Sequence, residues 1–139
     1  MKITVTSTGN TLDSPIDPRF GRCQFFIFVD PETMEFEAAE NEAMMAAGGA
    51  GPQAAQFVAK RGTEAIVTGN VGPNAASTLK AAGIKIFVGA TGTVRETITL
   101  FKNGQLQEAA EATVGQHAGM GGGVGRGMGG GKGQGRGRS

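Results

Sequence analysis

The residues with the clearest chemical potential form one short segment, Arg19-Phe20-Gly21-Arg22-Cys23. Arginine guanidinium groups bind anionic oxygens or sulfides through forked donors, and the glycine between Arg19 and Arg22 lets the backbone turn tightly. Cys23 is the only cysteine in the chain. The neighbouring arginines would lower its pKa and favour the thiolate if the side chain were exposed. One interpretation is therefore that the segment faces an anion, with Cys23 as the candidate metal ligand.

The same segment also has a purely structural interpretation. An unpaired cysteine is often a small buried hydrophobic residue, and arginines near carboxylates often form surface ion pairs. The carboxylates that could pair with the two arginines are Asp13, Asp17 and Asp30. From the residues alone, both interpretations stay open.

Two glycine-rich turns offer further anion donors. Residues 68–73, TGNVGP, and residues 89–93, GATGT, each lead from a predicted strand into a predicted helix. A helix start presents free backbone N–H groups and the positive end of the helix dipole, and both favour an anion. Asn70, Gly72 and Gly92 are the predicted donor positions. Neither turn continues into the Gly-Lys-Ser/Thr of a P-loop, and ordinary strand-to-helix turns are the alternative.

The elements that must position these residues follow an α/β order. Residues 3–6 and 34–38 alternate between apolar and polar, and residues 25–29 are apolar throughout, which predicts three strands. A helix–strand–helix–strand–helix run follows, with Pro52, Pro73 and Thr93 at the predicted helix starts. Right-handed crossovers would place both glycine-rich turns at one edge of a mixed sheet.

Composition divides the 139 residues into a body, 1–112, predicted to be one α/β domain, and a glycine-rich tail, 113–139. From residue 115 onward the tail carries four basic residues and no acidic residue, Phe or Tyr, so we predict disorder and expect no nucleic-acid binding. His117, the only histidine, lies in this tail and cannot form an ordered metal site alone.

Location and redox state are also constrained by the residues. One cysteine cannot supply an internal disulfide or a four-thiolate metal site. No run is long and apolar enough to span a membrane, and the first residues lack the apolar core of a signal peptide. These features predict a cytoplasmic protein that does not associate with membranes.

With these residues in view, the chain resembles the dinitrogenase iron–molybdenum cofactor-binding family over roughly residues 1–110. The matching segments are 17–23 leading into 25–27, then 54–57, 69–75, Leu79, 82–84 and 93–96. The resemblance implies a three-layer, ribonuclease-H-like fold with a five-stranded mixed sheet. It also implies a pocket for a metal–sulfur cluster, containing iron or molybdenum or both, near the Phe-Gly-Arg loop and the Gly-Pro turn. Cluster-assembly proteins or an apo-acceptor protein would be the partners.

The resulting prediction is non-catalytic binding or carriage of a metal–sulfur cluster in cofactor biosynthesis. The predicted contacts are Arg19, Phe20, Gly21, Arg22, Cys23, Asn70, Gly72 and Gly92, with Cys23 as the metal ligand. Ribonuclease H chemistry needs clustered carboxylates on the first strand, and residues 2–7 contain none. A thiol enzyme would need a fixed base beside Cys23. The alternative function is a protein or nucleic-acid interaction module without metal.

Overall fold

A computed structural model describes residues 1–46 and 48–109. The tail prediction, including His117, lies outside the described residues. The elements in chain order are β1 (Ile3–Ser7), β2 (Phe25–Val29), β3 (Phe36–Glu40), a short 3₁₀ helix (Glu42–Met45), α1 (Ala50–Lys60), β4 (Ala65–Val67), α2 (Pro73–Ala81), β5 (Lys85–Val88), α3 (Val94–Lys102) and β6 (Gln107–Glu108). Within the described residues, no helix is long and apolar enough to cross a membrane.

The strands form one mixed sheet in the order β3-β2-β1-β4-β5-β6. Strands β1, β4 and β5 run parallel, and β2, β3 and β6 pair antiparallel with their neighbours. The mixed α/β class is confirmed, but the prediction of five strands is wrong. The sixth strand contains two exposed polar residues and pairs with Phe87 and Val88, so it has no apolar alternation that a sequence pattern could reveal. The ribonuclease-H-like assignment stays a prediction.

The alternation of side chains along the sheet creates two cores, one on each face. One core packs α1 and α2 against the sheet through residues such as Phe26 and Ile66. The other packs α3 against the opposite face through Ile3, Val5 and Ile98. Burying one such side chain contributes about 1.5–3 kcal/mol, so each helix is fixed to its face by several large contributions.

Alternate residues of β1 are polar although the strand is fully buried. Their hydroxyls are paired: Thr4 Oγ1 lies 2.7 Å from Thr63 Oγ1, and Thr6 Oγ1 lies 2.8 Å from Thr68 Oγ1. Buried polar groups need such partners because leaving one unpaired costs about 1–3 kcal/mol. These pairs connect β1 to the ends of β4, where the candidate site begins.

Two predicted boundaries shift in the structure. Helix α1 begins at Ala50, two residues before the predicted start at Pro52. The predicted start of α2 at Pro73 is confirmed. Strand β3 starts two residues later than predicted, because Met34 adopts a left-handed φ of 65° in the turn and donates its N–H to the Asp30 carbonyl at 2.7 Å. A turn in that conformation interrupts the strand, although the residue types alternate.

Candidate functional site

The predicted convergence of the Arg-Phe-Gly-Arg loop and the first glycine-rich turn is present in the structure. Asn70 N–H donates to the Pro18 carbonyl at 2.7 Å, and Phe20 N–H donates to the Asn70 carbonyl at 3.3 Å. A Cβ on Gly69 would lie 2.7 Å from the Pro18 Cβ, closer than atoms tolerate. Glycine at position 69 therefore permits the close approach of the two segments.

Small residues bring the starts of α1 and α2 against the same loop. Gly21 has a φ of 77°, and a Cβ there would lie 3.0 Å from the Gly51 Cα. A Cβ on Gly51 would in turn lie 3.0 Å from the Ala75 Cβ. The loop, the first turn of α1 and the first turn of α2 thus contact one another through residues with little or no side chain.

These three segments line an open cavity of about 550 Å³. Six of the eight predicted contact residues line it: Arg19, Phe20, Gly21, Arg22, Asn70 and Gly72. The remaining lining residues belong to the two helix starts: Gly49, Ala50, Gly51, Pro52, Pro73, Asn74 and Ala75. Cys23 and Gly92 are the two predicted residues that the structure does not bring into the lining.

Both helix starts direct positive electrostatic potential into this cavity. Gly49 and Gly72 occupy the N-cap positions, and among the described residues neither helix has an acidic residue in its first turn. The positive end of each helix dipole, equivalent to about half an elementary charge, is therefore not offset by a local carboxylate. An anion in the cavity would meet two such ends.

The Arg19 side chain belongs to an ion pair. Its Nε lies 3.3 Å from Asp17 Oδ1, and its Nη2 donates to Asp17 Oδ2 at 3.4 Å. The hydrogen bond and the charge of Asp17 raise the pKa of Arg19 above its ordinary value. The structural interpretation of the arginines is therefore correct for Arg19, which nevertheless lines the cavity and keeps 65 % of its side chain exposed.

Arg22 has different partners. Its Nη1 donates to the Met44 carbonyl at 2.7 Å and to the Ala46 carbonyl at 3.0 Å. Within the described parts of the chain, no carboxylate forms an ion pair with it. Arg22 therefore lines the cavity as a cation bound to neutral acceptors.

The condition on which a Cys23 thiolate was predicted, an exposed side chain, is not met in the structure. Cys23 is fully buried in the core beneath α1 and α2. Burial, and secondly the negative charge of Asp17, raises the pKa of Cys23 to about 12. The flanking arginines do not offset this rise in the pKa, and their guanidinium groups bind Asp17 and two carbonyls. Cys23 is a neutral thiol at physiological pH, and its role as a metal ligand stays a prediction.

Gly92 lies at the same edge of the sheet but does not reach the cavity. The two glycine-rich turns are neighbours, since Gly89 N–H donates to the Gly69 carbonyl at 3.4 Å. Helix α3, however, packs on the opposite face from α1 and α2. Its start is also occupied by its own acid, because the Glu96 carboxylate accepts the Thr93 N–H at 2.8 Å. Anion binding at Gly92 is therefore not supported by this geometry.

Asn41 is a residue of the site that the sequence did not predict. Its buried amide Nδ2 donates to the Gly21 and Cys23 carbonyls, each at 2.9 Å, and its Oδ1 accepts the Ala43 N–H at 3.1 Å. It thereby fixes the Phe-Gly-Arg loop to the 3₁₀ helix. The only sequence signal is an Asn at the N-cap position of that helix.

The cavity can bind an anion but offers little for direct coordination of a bare metal ion. Its lining contains no His, Cys, Asp or Glu among the described residues. Across the same residues, no group of three such side chains is placed to hold a metal ion. What the cavity supplies is guanidinium charge, backbone N–H groups and apolar surface, which suit an anion that brings its own ligands.

Comparisons with known proteins agree on one family. Residues 1–104 match the model of the family described as dinitrogenase iron-molybdenum cofactor. The apo form of the orange protein from Desulfovibrio gigas is 44% identical, with a TM-score of 0.78 over 81% of this chain and 95% of that chain.

Two further solved structures are similar. A Thermotoga protein solved by NMR, a candidate NifB protein of the DUF35 family, is 38% identical with a TM-score of 0.71, covering 81% of this chain and 96% of that chain. A candidate dinitrogenase from Methanocaldococcus jannaschii shares the fold, with 19% identity and a TM-score of 0.59 over 80% of this chain and 96% of that chain. No curated protein gave a match.

Proposed function

The chain belongs to the dinitrogenase iron–molybdenum cofactor family, and on that premise we propose that it binds and carries an anionic metal–sulfur cluster. The cluster would contain iron or molybdenum or both, and it would be cargo rather than a catalytic group. Family membership supports a cofactor-related role, and the cavity between the Phe-Gly-Arg loop and the starts of α1 and α2 supports the more specific proposal.

The observation that carries the proposal is the convergence of positive groups without a carboxylate in the lining. Arg19 and Arg22 line the same cavity as the first turns of α1 and α2. A metal–sulfur cluster with excess sulfide is anionic, and its sulfides accept hydrogen bonds from N–H groups. These groups support binding of such a cluster through its outer sulfides.

The apolar part of the lining is also suited to this cargo. Phe20, Pro52 and Pro73 present carbon surface beside the polar donors. Partial exclusion of water strengthens the attraction between the cluster and the positive groups, because charges interact more strongly at lower effective dielectric constant. The cluster would keep its own ligands, since the described lining has no thiolate or carboxylate to replace them.

The same lining supports binding without catalysis. General acid–base catalysis needs a titratable side chain within hydrogen-bond reach of the reacting group, and among the described lining residues there is no His, Cys, Asp or Glu. In cofactor biosynthesis a carrier of this kind would receive its cluster from assembly proteins and pass it to an apo-acceptor. These partners are part of the proposal.

The test is anaerobic production of the full chain with iron and molybdenum supplied, followed by elemental analysis and a visible spectrum. We expect metal in stoichiometric amount with charge-transfer absorption. Arg22→Gln should reduce the metal content, because it removes the one guanidinium charge of the described cavity that has no carboxylate partner. Cys23→Ala is the matched comparison, and we expect it to retain metal because the thiol is buried.

Two results would contradict these expectations. Loss of metal in Cys23→Ala with a folded protein would mean that Cys23 is a ligand and that the buried position opens on loading. A colourless, metal-free protein that also fails to take up supplied cluster would contradict the proposed function. The interaction module without metal would then be the better explanation.

A further inference from the structure

Asp17 is a buried charged residue beside the cavity for which the proposed function has no role. Only 4 % of its side chain is exposed. Its backbone is fixed to β1, because its N–H donates to the Thr6 carbonyl at 2.9 Å and its carbonyl accepts the Thr6 hydroxyl at 2.5 Å. The carboxylate therefore has a fixed position immediately behind the cavity-lining loop.

The Asp17 carboxylate contacts Arg19 at three points. It accepts the Arg19 backbone N–H at 3.0 Å in addition to the two guanidinium contacts at 3.3 and 3.4 Å. Arg19 and Asp17 together are formally neutral, so Arg19 gives the cavity hydrogen-bond donors but little net charge. Arg22 has no such partner among the described residues. The two arginines of one motif thus differ in the charge that they contribute.

We propose that Asp17 is a specificity-determining residue, which offsets the charge of Arg19 and so limits how much negative charge the cavity accepts. The inference rests on the proposed function, because it concerns the same cavity and the same anionic cargo. A limited positive charge would keep the cargo releasable, as delivery to an acceptor requires. The field of Asp17 reaches the neighbouring core as well, since it contributes to the raised pKa of Cys23.

The test compares anion binding by the full wild-type chain and Asp17→Asn, with tetrathiomolybdate as the probe under anaerobic conditions. Asn has nearly the same shape and can still accept the Arg19 backbone N–H. Removal of one negative charge at roughly 8 Å from the probe, at an effective dielectric constant of about 40, predicts that the doubly charged probe binds about thirtyfold tighter. The salt dependence should become steeper, because more charge is then screened by added ions.

Two further variants separate charge from structure. Asp17→Asn combined with Arg19→Gln has the same formal charge as the wild type, so its salt dependence should return to that of the wild type. Asp13→Asn is the matched control. It removes a carboxylate that also pairs with an arginine, Arg95, but the pair is exposed and does not line the cavity. Its affinity should equal that of the wild type.

The outcomes are distinguishable. Unchanged or weaker binding by folded Asp17→Asn, with binding by the wild type intact, overturns this inference and leaves the proposed function standing. Absence of binding by the wild type removes both. If circular dichroism shows that Asp17→Asn does not fold, Asp17→Ser is the second variant, since a hydroxyl can also accept the Arg19 N–H, and the same affinity and salt dependence are expected.

Discussion

Adding one carboxylate to the start of α2 should have opposite effects on stability and on cargo binding. Asn74 is the second residue of α2, is exposed, and lines the cavity. Asn74→Asp changes the charge with almost no change in shape. An acidic residue in the first turn interacts favourably with the helix dipole, so the free energy of unfolding should rise by about 0.3–1 kcal/mol.

The binding effect follows from Coulomb's law. At a separation of roughly 7 Å and an effective dielectric constant between about 20 and 80, one added negative charge costs about 0.6–2.4 kcal/mol per unit charge of the cargo. For a doubly charged anion such as tetrathiomolybdate, the affinity should therefore fall by about tenfold or more. Chemical denaturation measures the stability, and anaerobic titration followed by visible absorption measures the affinity.

Asn103→Asp is the matched control for this prediction. Asn103 is the C-cap residue of α3, and it does not line the cavity. The same chemical change there places negative charge at the negative end of a dipole, so stability should fall slightly and binding should stay unchanged. Wild-type affinity in Asn74→Asp, with cargo still binding, would refute the placement of the anion at the helix starts.

Three other predictions follow from the geometry. Burial raises the pKa of Cys23 from 9.0 to about 12, so mass spectrometry should show slow alkylation at pH 8 in the native protein and fast alkylation in denaturant. The free energy of unfolding should fall as the pH rises above 9, because the thiol then ionises more readily in the unfolded chain. Fast alkylation of the native protein would contradict the burial. In chemical denaturation, Gly69→Ala should destabilise the protein by about 1–3 kcal/mol, because the added Cβ would collide with Pro18. Gly72→Ala is the control: its Cβ would enter open space, so the loss of stability should be less than about 1 kcal/mol. Thr93→Ala should lower the free energy of unfolding by about 1 kcal/mol, because it removes the N-cap of α3, and cargo affinity should not change. A change in cargo affinity would show that the start of α3 belongs to the site.

The order of strands and helices could be predicted because the signals are local and strong. The fully apolar run at Phe25–Val29 gives a central strand with neighbours on both sides, and Pro73 and the Thr93–Glu96 pair mark the starts of α2 and α3. Parallel strands then place both glycine-rich turns at one edge of the sheet, as the bond between Gly89 and Gly69 confirms. Six cavity-lining residues were predicted from the residue types of the Arg-Phe-Gly-Arg segment, from the first glycine-rich turn and from the family resemblance.

The remaining features depend on tertiary packing, which short sequence patterns do not encode. The burial of Cys23 depends on α1 and α2 covering that part of the sheet, and the partners of Arg19 and Arg22 depend on where the loop places them. The start of α1 was not predicted as an anion site, and that helix begins at Ala50 rather than at the predicted Pro52.

For Gly92 a sequence signal did exist. Glu96 lies in the first turn of α3, where its carboxylate takes the place that an anion would occupy, and the first turns of α1 and α2 have no acidic residue among the described residues. An acidic residue in the first turn is thus a sequence signal against anion binding at that helix start.

The most direct test of anion binding in the cavity is an anaerobic titration of the ¹⁵N-labelled full chain with tetrathiomolybdate, followed by amide chemical shifts. We expect the largest shifts at the amides of Gly21, Gly51, Asn74 and Ala75, around the described cavity, and small shifts at Gly92 and Thr93 on the start of α3. Largest shifts at α3, or no shifts at concentrations that saturate binding, would contradict it.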